Sequence, residues 1–281
     1  MPIANIPETY LQNDKAIPDL LLYDFKMNTD LVKSKVHLSM NMFSFLQVGK
    51  KQVHFAGNSV AVNKDQSLLL KKGNWLWTEL LENEPTYYCK LFFFSDKKLK
   101  DFLEKHAQNP IVLSNEIPYF IISNDVYITT YLNSLTTISK APAIFFENLL
   151  ALKFDELMLY LLQKYGSQFE QYLKSLIADE SSTFKKIVES KMHANLKLGE
   201  IAFLCNMSLS TFKRHFVKEY KITPGKWLQE KKLEAAKEIL EKGKLKSSDI
   251  YLDFGYNNLS NFSLAFKNKF GYSPRNINSK T

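Results

Sequence analysis

The chain has 281 residues, 45% of them hydrophobic, which is enough for two domains each with its own core. Its formal charge of +8 is unevenly placed: residues 181–281 hold 19 Lys and Arg against 9 Asp and Glu, whereas the first 180 hold 18 against 20. Such a basic last third points to a polyanion partner, and the two cysteines, Cys89 and Cys205, lack the Cys-x-x-Cys spacing of a metal or redox motif and fit small hydrophobes in a reducing compartment.

The N-terminus, Met1 to Lys15, lacks a basic region followed by an apolar run, so it does not read as a signal peptide. No apolar stretch approaches the roughly 18 residues of a membrane span. The expectation is a soluble, cytoplasmic protein with no membrane partner.

Residues 36–94 alternate apolar and polar in short runs. Expected strands are 36–46, 52–55, 59–62, 67–70 and 87–94, with turns at Gly49, Gly57, Asn63 and Gly73. Closely spaced strands of this kind predict a small antiparallel barrel or sandwich. A helix follows over 96–106, and 111–123 is expected to return to the sheet. From Pro142 the period changes: 143–165 is apolar on most faces, which predicts a helix buried on more than one side, part against the barrel and part against a second chain. A further helix spans 168–177 after Gly166. The polar run from Asp179 to Thr183 marks a boundary between a domain over 1–178 and another over 179–281.

The last hundred residues are expected to be helical throughout, over 183–193, 198–204, 209–220 and 224–242, with a further unit at 248–270. Two stretches repeat at an offset of fifty. Phe212, Phe216, Tyr220, Thr223 and Pro224 recur as Phe262, Phe266, Phe270, Ser273 and Pro274. Upstream, Ile201 with Asn206 matches Ile250 with Gly255, an Ile and a residue suited to the left-handed turn. Each copy reads as helix, tight turn, helix, stop. The helix over 224–242 joins them, opened by Thr223-Pro224 and closed by Gly243.

In the first copy Leu209, Phe212 and Phe216 form one stripe, expected to be buried. Ser210, Lys213, Arg214 and Val217 form the opposite stripe, which can enter a DNA major groove. Arg214 can donate twice to guanine, Lys213 can reach a base or a phosphate, and Ser208 can cap the helix beside the DNA backbone. Thr211 and Lys218 complete the candidate set. In the second copy the matching stripe is Ser260, Ser263, Leu264 and Lys267. Leu264 is suited to a thymine methyl and Lys267 to a phosphate. The first unit is therefore expected to read sequence more strongly, and the second to position.

Segment 183–278 resembles the AraC/XylS family of bacterial transcription regulators. The resemblance rests on Ile201-Ala202, on 208–216, on Thr223-Pro224, on 236–240 and above all on 249–267 ending in Phe270-Gly-Tyr-Ser-Pro. It implies an all-α domain with two helix-turn-helix units held by one helix, entering successive major grooves on one face of promoter DNA. It implies base-reading positions at Ser210, Lys213 and Arg214, and at Leu259, Ser260, Ser263 and Leu264, and activation through RNA polymerase. Tyr251, where the family has Ala, Leu264, where Arg is common, and Ile277-Asn278, near a usual Tyr-Arg, depart from the pattern.

The first half resembles, more loosely, the cupin-like regulatory domains of this family, through 49–74. The nearest subgroup is that of the type III secretion activators, in which the domain serves dimerisation and response to a protein partner. The whole is thus expected to be α+β: a cupin-like antiparallel β-barrel with trailing helices, then the DNA-binding domain. A homodimer and a small-molecule or protein effector are the other expected partners. The alternative is a metal-dependent cupin-type enzyme fused to a DNA reader. Such a centre needs about three His and a carboxylate, and the barrel half offers His37 and His54 without a His-x-His pair. No phosphate loop or nucleophile elbow is present. The expectation is no enzyme, no metal and no cofactor. Trp75 and Trp77 share a strand face and are candidates to line a pocket.

Overall fold

A computed structural model describes residues 3–11, 16–55, 58–107, 118–177, 188–189, 196–243 and 245–279. The chain divides into two compact units, Met1–His54 with Ser59–Ser181, and Ser182–Thr281 with Phe55–Asn58.

In the first unit ten strands form two five-stranded sheets. One has the order β1 (Ile3–Ile6), β3 (Leu31–Leu38), β8 (Gly73–Leu80), β5 (Lys50–Phe55), β6 (Asn58–Val62). The other runs β10 (Tyr119–Ser123), β7 (Gln66–Leu70), β4 (Asn41–Val48), β9 (Tyr87–Phe94), β2 (Leu20–Met27). The strands do not join into one closed barrel. They make a sandwich whose inner faces share a core containing Val36, Val53 and Trp75 from one sheet and Met42, Leu91 and Phe93 from the other.

Alternation along β4 and β9 serves two cores. Met42, Cys89, Leu91 and Phe93 point between the sheets, while Phe43, Phe45, Phe92 and Phe94 point to the helices on the outer face. Those helices are α1 (Asp96–His106), α2 (Val126–Ile138) and α3 (Ala143–Ile177). Ser95 caps α1, accepting from the Lys98 N–H at 3.1 Å, and Asp125 caps α2, accepting from Ile128 at 3.0 Å. From α3, Leu150, Phe154, Leu157, Met158 and Leu161 enter the outer core. Gly166 breaks this helix at φ 59°, ψ −138°, a conformation open essentially to glycine alone.

Three details differ from the sequence expectation. The run 36–46 is two strands, β3 and β4, separated at Ser39-Met40. Gly73 opens β8 rather than sitting in a turn. β1, β2, β8 and α2 are additional elements. The expected strand return over 111–123 is seen as β10, while 111–117 and the turn at Gly57 lie outside the described residues.

In the second unit, α4 (Leu198–Leu204) and α5 (Leu209–Tyr220) form one pair, and α7 (Ser247–Ile250) and α8 (Leu259–Phe270) the other. The intervening α6 (Pro224–Glu241) is their common support. The expected helix over 183–193 lies outside the described residues except at Val188 and Glu189, which are helical.

Candidate nucleic-acid interface

Both turns are built from the same hydrogen bonds. In the first, Asn206 N–H donates to Phe203 O and Met207 N–H to Ala202 O, each at 2.9 Å. In the second, Gly255 N–H donates to Leu252 O at 2.9 Å and Tyr256 N–H to Tyr251 O at 3.1 Å. This paired pattern ends a helix through one left-handed residue, here Asn206 at φ 57° and Gly255 at φ 79°. So α7, though short, is followed by the same closure as α4. A Cβ on Gly255 would meet only the mobile end of Lys232, its Nζ at 3.2 Å, so the positive φ is what favours glycine there.

The helices that follow are capped at repeat-matched positions. Ser208 Oγ accepts from the Thr211 N–H at 3.2 Å, and Asn258 Oδ1 from the Asn261 N–H at 2.8 Å. Asn258 was not among the sequence candidates; its signal was its place fifty residues after Ser208. The Ser208 hydroxyl also lies 3.0 Å from Ser210 Oγ and 2.9 Å from Thr211 Oγ1, so its first task is to hold the helix start.

Phe212 and Phe216 are buried, as are Phe262 and Phe266. Leu209, the first residue of α5, does not join the buried stripe: it is 41% exposed. On the outer face of α5, Ser210, Lys213, Arg214, Val217 and Lys218 are exposed and Thr211 is half-buried. On α8, Ser260, Leu264 and Lys267 are exposed. Ser263 is half-buried, and Leu259 packs partly against the core that holds Ile250 and Phe262. The two outer faces therefore differ in chemistry, cationic on α5 and short, apolar or hydroxylated on α8.

Lys269, also on α8, is not free for a ligand. It donates to Glu230 O at 2.7 Å and pairs with Glu234 at 2.9 Å. Hydrogen bonds from Lys231 and Lys269 hold the Glu234 carboxyl below the ordinary carboxylate range. This pins α8 to α6. Thr223 starts α6 by accepting from the Lys226 N–H at 3.3 Å, with Pro224 in the first turn. Leu228, Leu233, Ala236 and Leu240 are its buried side chains. Trp227 packs edge-on to Phe216 and Tyr220, and fifty residues later the buried Ile277 joins the core of Phe262 and Phe266.

The candidate sensing residues of the first unit are engaged internally. His37 Nδ1 lies 2.7 Å from Asn74 Oδ1, and His54 Nε2 lies 2.8 Å from Thr78 Oγ1. Trp75 and Trp77 are buried between the sheets. Among the described residues no helix is long and apolar enough to cross a membrane.

Twin helix-turn-helix wedges on a basic unit, in a chain that also carries a separate sheet domain, define a DNA-binding transcription regulator. Residues 201–280 match the family described as "Helix-turn-helix domain", and residues 41–172 the "ExsA N-terminal regulatory domain". The thermoregulatory protein LcrF of Yersinia pestis is 30% identical over 261 residues, 88% of this chain and 91% of LcrF. The virulence regulon transcriptional activator VirF of Yersinia enterocolitica is 30% identical over 124 residues, 44% of this chain and 46% of VirF. A ToxT structure from Vibrio cholerae covers 94% of this chain and 99% of its own at 15% identity, with a TM-score of 0.45. The chain belongs to the AraC/XylS family of transcription regulators.

Proposed function

We propose that this regulator activates transcription by reading promoter DNA through α5 and α8, with α5 supplying most of the base discrimination. The observation that carries the reading is the pair of repeat-matched wedges whose outer faces are largely exposed while their inner faces are buried. The connecting α6 has 18 residues. At 1.5 Å per residue it is about 27 Å long, commensurate with the ~34 Å repeat of the duplex. Arg214 and Lys213 are assigned to base edges, Lys218 and Lys267 to phosphates, and Ser210, Ser260, Ser263 and Leu264 to groove contacts. Ser208, Thr211 and Leu259 support the helix starts at the DNA surface. Bound in this way in the cytoplasm, the protein places itself beside RNA polymerase.

The first unit is read as regulatory and not enzymatic. Its strand histidines, His37 and His54, are already hydrogen-bonded to neighbours, and Trp75 and Trp77 fill a core. A protein effector fits this better than a small molecule. A second copy of the chain is the proposed partner of α3. Phe145, Leu152 and Leu159 are 62%, 65% and 44% exposed, at seven-residue spacing on the helix face opposite the core.

Selection of bound sequences from random DNA tests the reading. The expected site spans two adjacent major grooves, with Arg214→Ala relaxing preference at one base and costing roughly 1–3 kcal/mol there. A footprint of one groove turn, or equal loss on selected and random duplexes, would overturn it.

A further inference from the structure

On α8 the exposed face offers phosphate contact in the second half of the site one cation, Lys267, against three on α5. Lys269 is tied to Glu230 and Glu234, and the exposed face otherwise carries Lys267 beside Ser260 and Leu264. Beside the first residue of α8 lies a groove of about 460 Å³. Leu259 and Ile277 are among its apolar lining, and Lys246, Ser247, Ser248 and Arg275 line it with polar groups. Lys246 and Arg275 are both exposed. Arg275 enters no ion pair among the described residues. The nearby Asp249 is occupied: its carboxylate accepts from the Lys246 N–H at 2.8 Å and from Ser248 Oγ at 3.0 Å.

The first helix-turn-helix copy offers a contrast. At the position matching Lys246 it has Lys197, but Leu198 and Gly199 follow in place of two serines, and Gly225 stands fifty residues before Arg275. Its cations sit on the recognition helix itself, as Lys213, Arg214 and Lys218. The second copy keeps one exposed lysine on its helix, Lys267, and sets Lys246 and Arg275 on the groove beside it. In helix-turn-helix proteins the first helix crosses the DNA backbone while the second enters the groove. A cationic, hydroxyl-lined groove shared by the starts of α7 and α8 therefore lies where a strand would pass.

We propose that this groove seats a backbone phosphodiester of the bound duplex, with Lys246 and Arg275 supplying charge and Ser247 a hydroxyl donor. The proposal rests on the DNA-reading assignment above and names a site within it.

The test uses the full chain and its selected duplex. Affinity is measured across a salt series for wild type, Lys246→Ala, Arg275→Ala, the double variant and Lys246→Arg. Each alanine should flatten the log–log salt slope by about 0.9 and weaken selected and random duplexes by the same factor. Lys246→Arg should keep the wild-type slope. Neutral methylphosphonate links placed one at a time should locate a phosphate that matters to wild type and no longer matters to the double variant. Unchanged slopes, or a methylphosphonate profile identical in wild type and double variant, would overturn the groove assignment while leaving DNA reading intact. Wild-type protein that fails to discriminate its selected duplex would instead remove the reading on which it rests. Saturable competition by inorganic phosphate at constant ionic strength, absent in the double variant, would assign the groove to free phosphate and overturn its role on DNA.

Discussion

At single positions, backbone geometry predicts more than side-chain identity does. Lys221 ends α5 with φ 60°, donating its N–H to Val217 O at 3.0 Å, while its repeat partner Gly271 does the same for α8 at φ 82°. The left-handed conformation costs an L-residue roughly 1–2 kcal/mol. Lys221→Gly should therefore stabilise the second unit by about 0.5–1 kcal/mol after the added freedom of the unfolded chain is subtracted. A rise in the thermal midpoint of that unit's transition is the check.

A buried charge gives the opposite case. Lys51 Nζ lies 3.0 Å from Glu79 Oε1 and 3.8 Å from the Trp77 ring centroid, and Tyr87 donates to the same oxygen at 3.1 Å. Both partners are buried, so Glu79→Gln leaves the ammonium uncompensated and should cost about 3–5 kcal/mol, read by urea denaturation of the first unit. Glu79→Gln with Lys51→Met should recover most of that loss.

Among the elements, legibility followed periodicity. The strand β9 and the helices α1, α4 and α5 stand at the bounds that alternation, 3.6-residue spacing and capping residues predict. The helix α2 escaped because Val126, Ile128, Thr129, Thr130, Thr136 and Thr137 are β-branched and weak helix formers. Its true signal was the stripe Ile128, Tyr131, Leu132 and Leu135, all buried. β2 escaped because Asp24 and Lys26 interrupt an apolar run. The pairing that accommodates Asp24, with the buried Lys90 on β9, is invisible in one dimension. In the candidate interface the stripes on α5 and α8 were legible from the repeat. The groove between Lys246 and Arg275 was not, since it joins a residue just ahead of α7 to one past the end of α8, 29 positions later.

The junction of β10, α2 and α3 carries an acid-sensitive lock. Burial would raise the Asp125 carboxyl, but hydrogen bonds from Lys164, Tyr160 and the Ile128 N–H outweigh it and hold the group down to about 2. A depressed folded value means the contribution is complete above the ordinary carboxylate range near 4 and is lost as pH falls through about 2. Asp125→Asn should therefore lower stability at neutral pH and flatten its decline between those limits, measured by chemical denaturation at each pH.

For the whole molecule, the uneven charge separates a DNA-binding unit from a near-neutral regulatory one, and the proposed homodimer would join two such chains through α3. The stripe on α3 is suited to self-pairing. Across a twofold axis at Leu152, an antiparallel copy sets Leu152 against Leu152 and Phe145 against Leu159, so one surface is its own complement. Phe154 and Leu157 meanwhile face the core, so the pairing needs no rearrangement of the fold. Joining two chains makes the second DNA contact intramolecular and raises apparent affinity without any new base contact. Leu152→Glu, at a position 65% exposed, should leave folding intact and shift the chain towards monomer in sedimentation velocity. Leu152→Cys should form a covalent dimer on mild oxidation, with the buried Cys89 and Cys205 taking no part. A wild-type chain that stays monomeric at tens of micromolar, or a dimer indifferent to Leu152→Glu, would move the interface elsewhere.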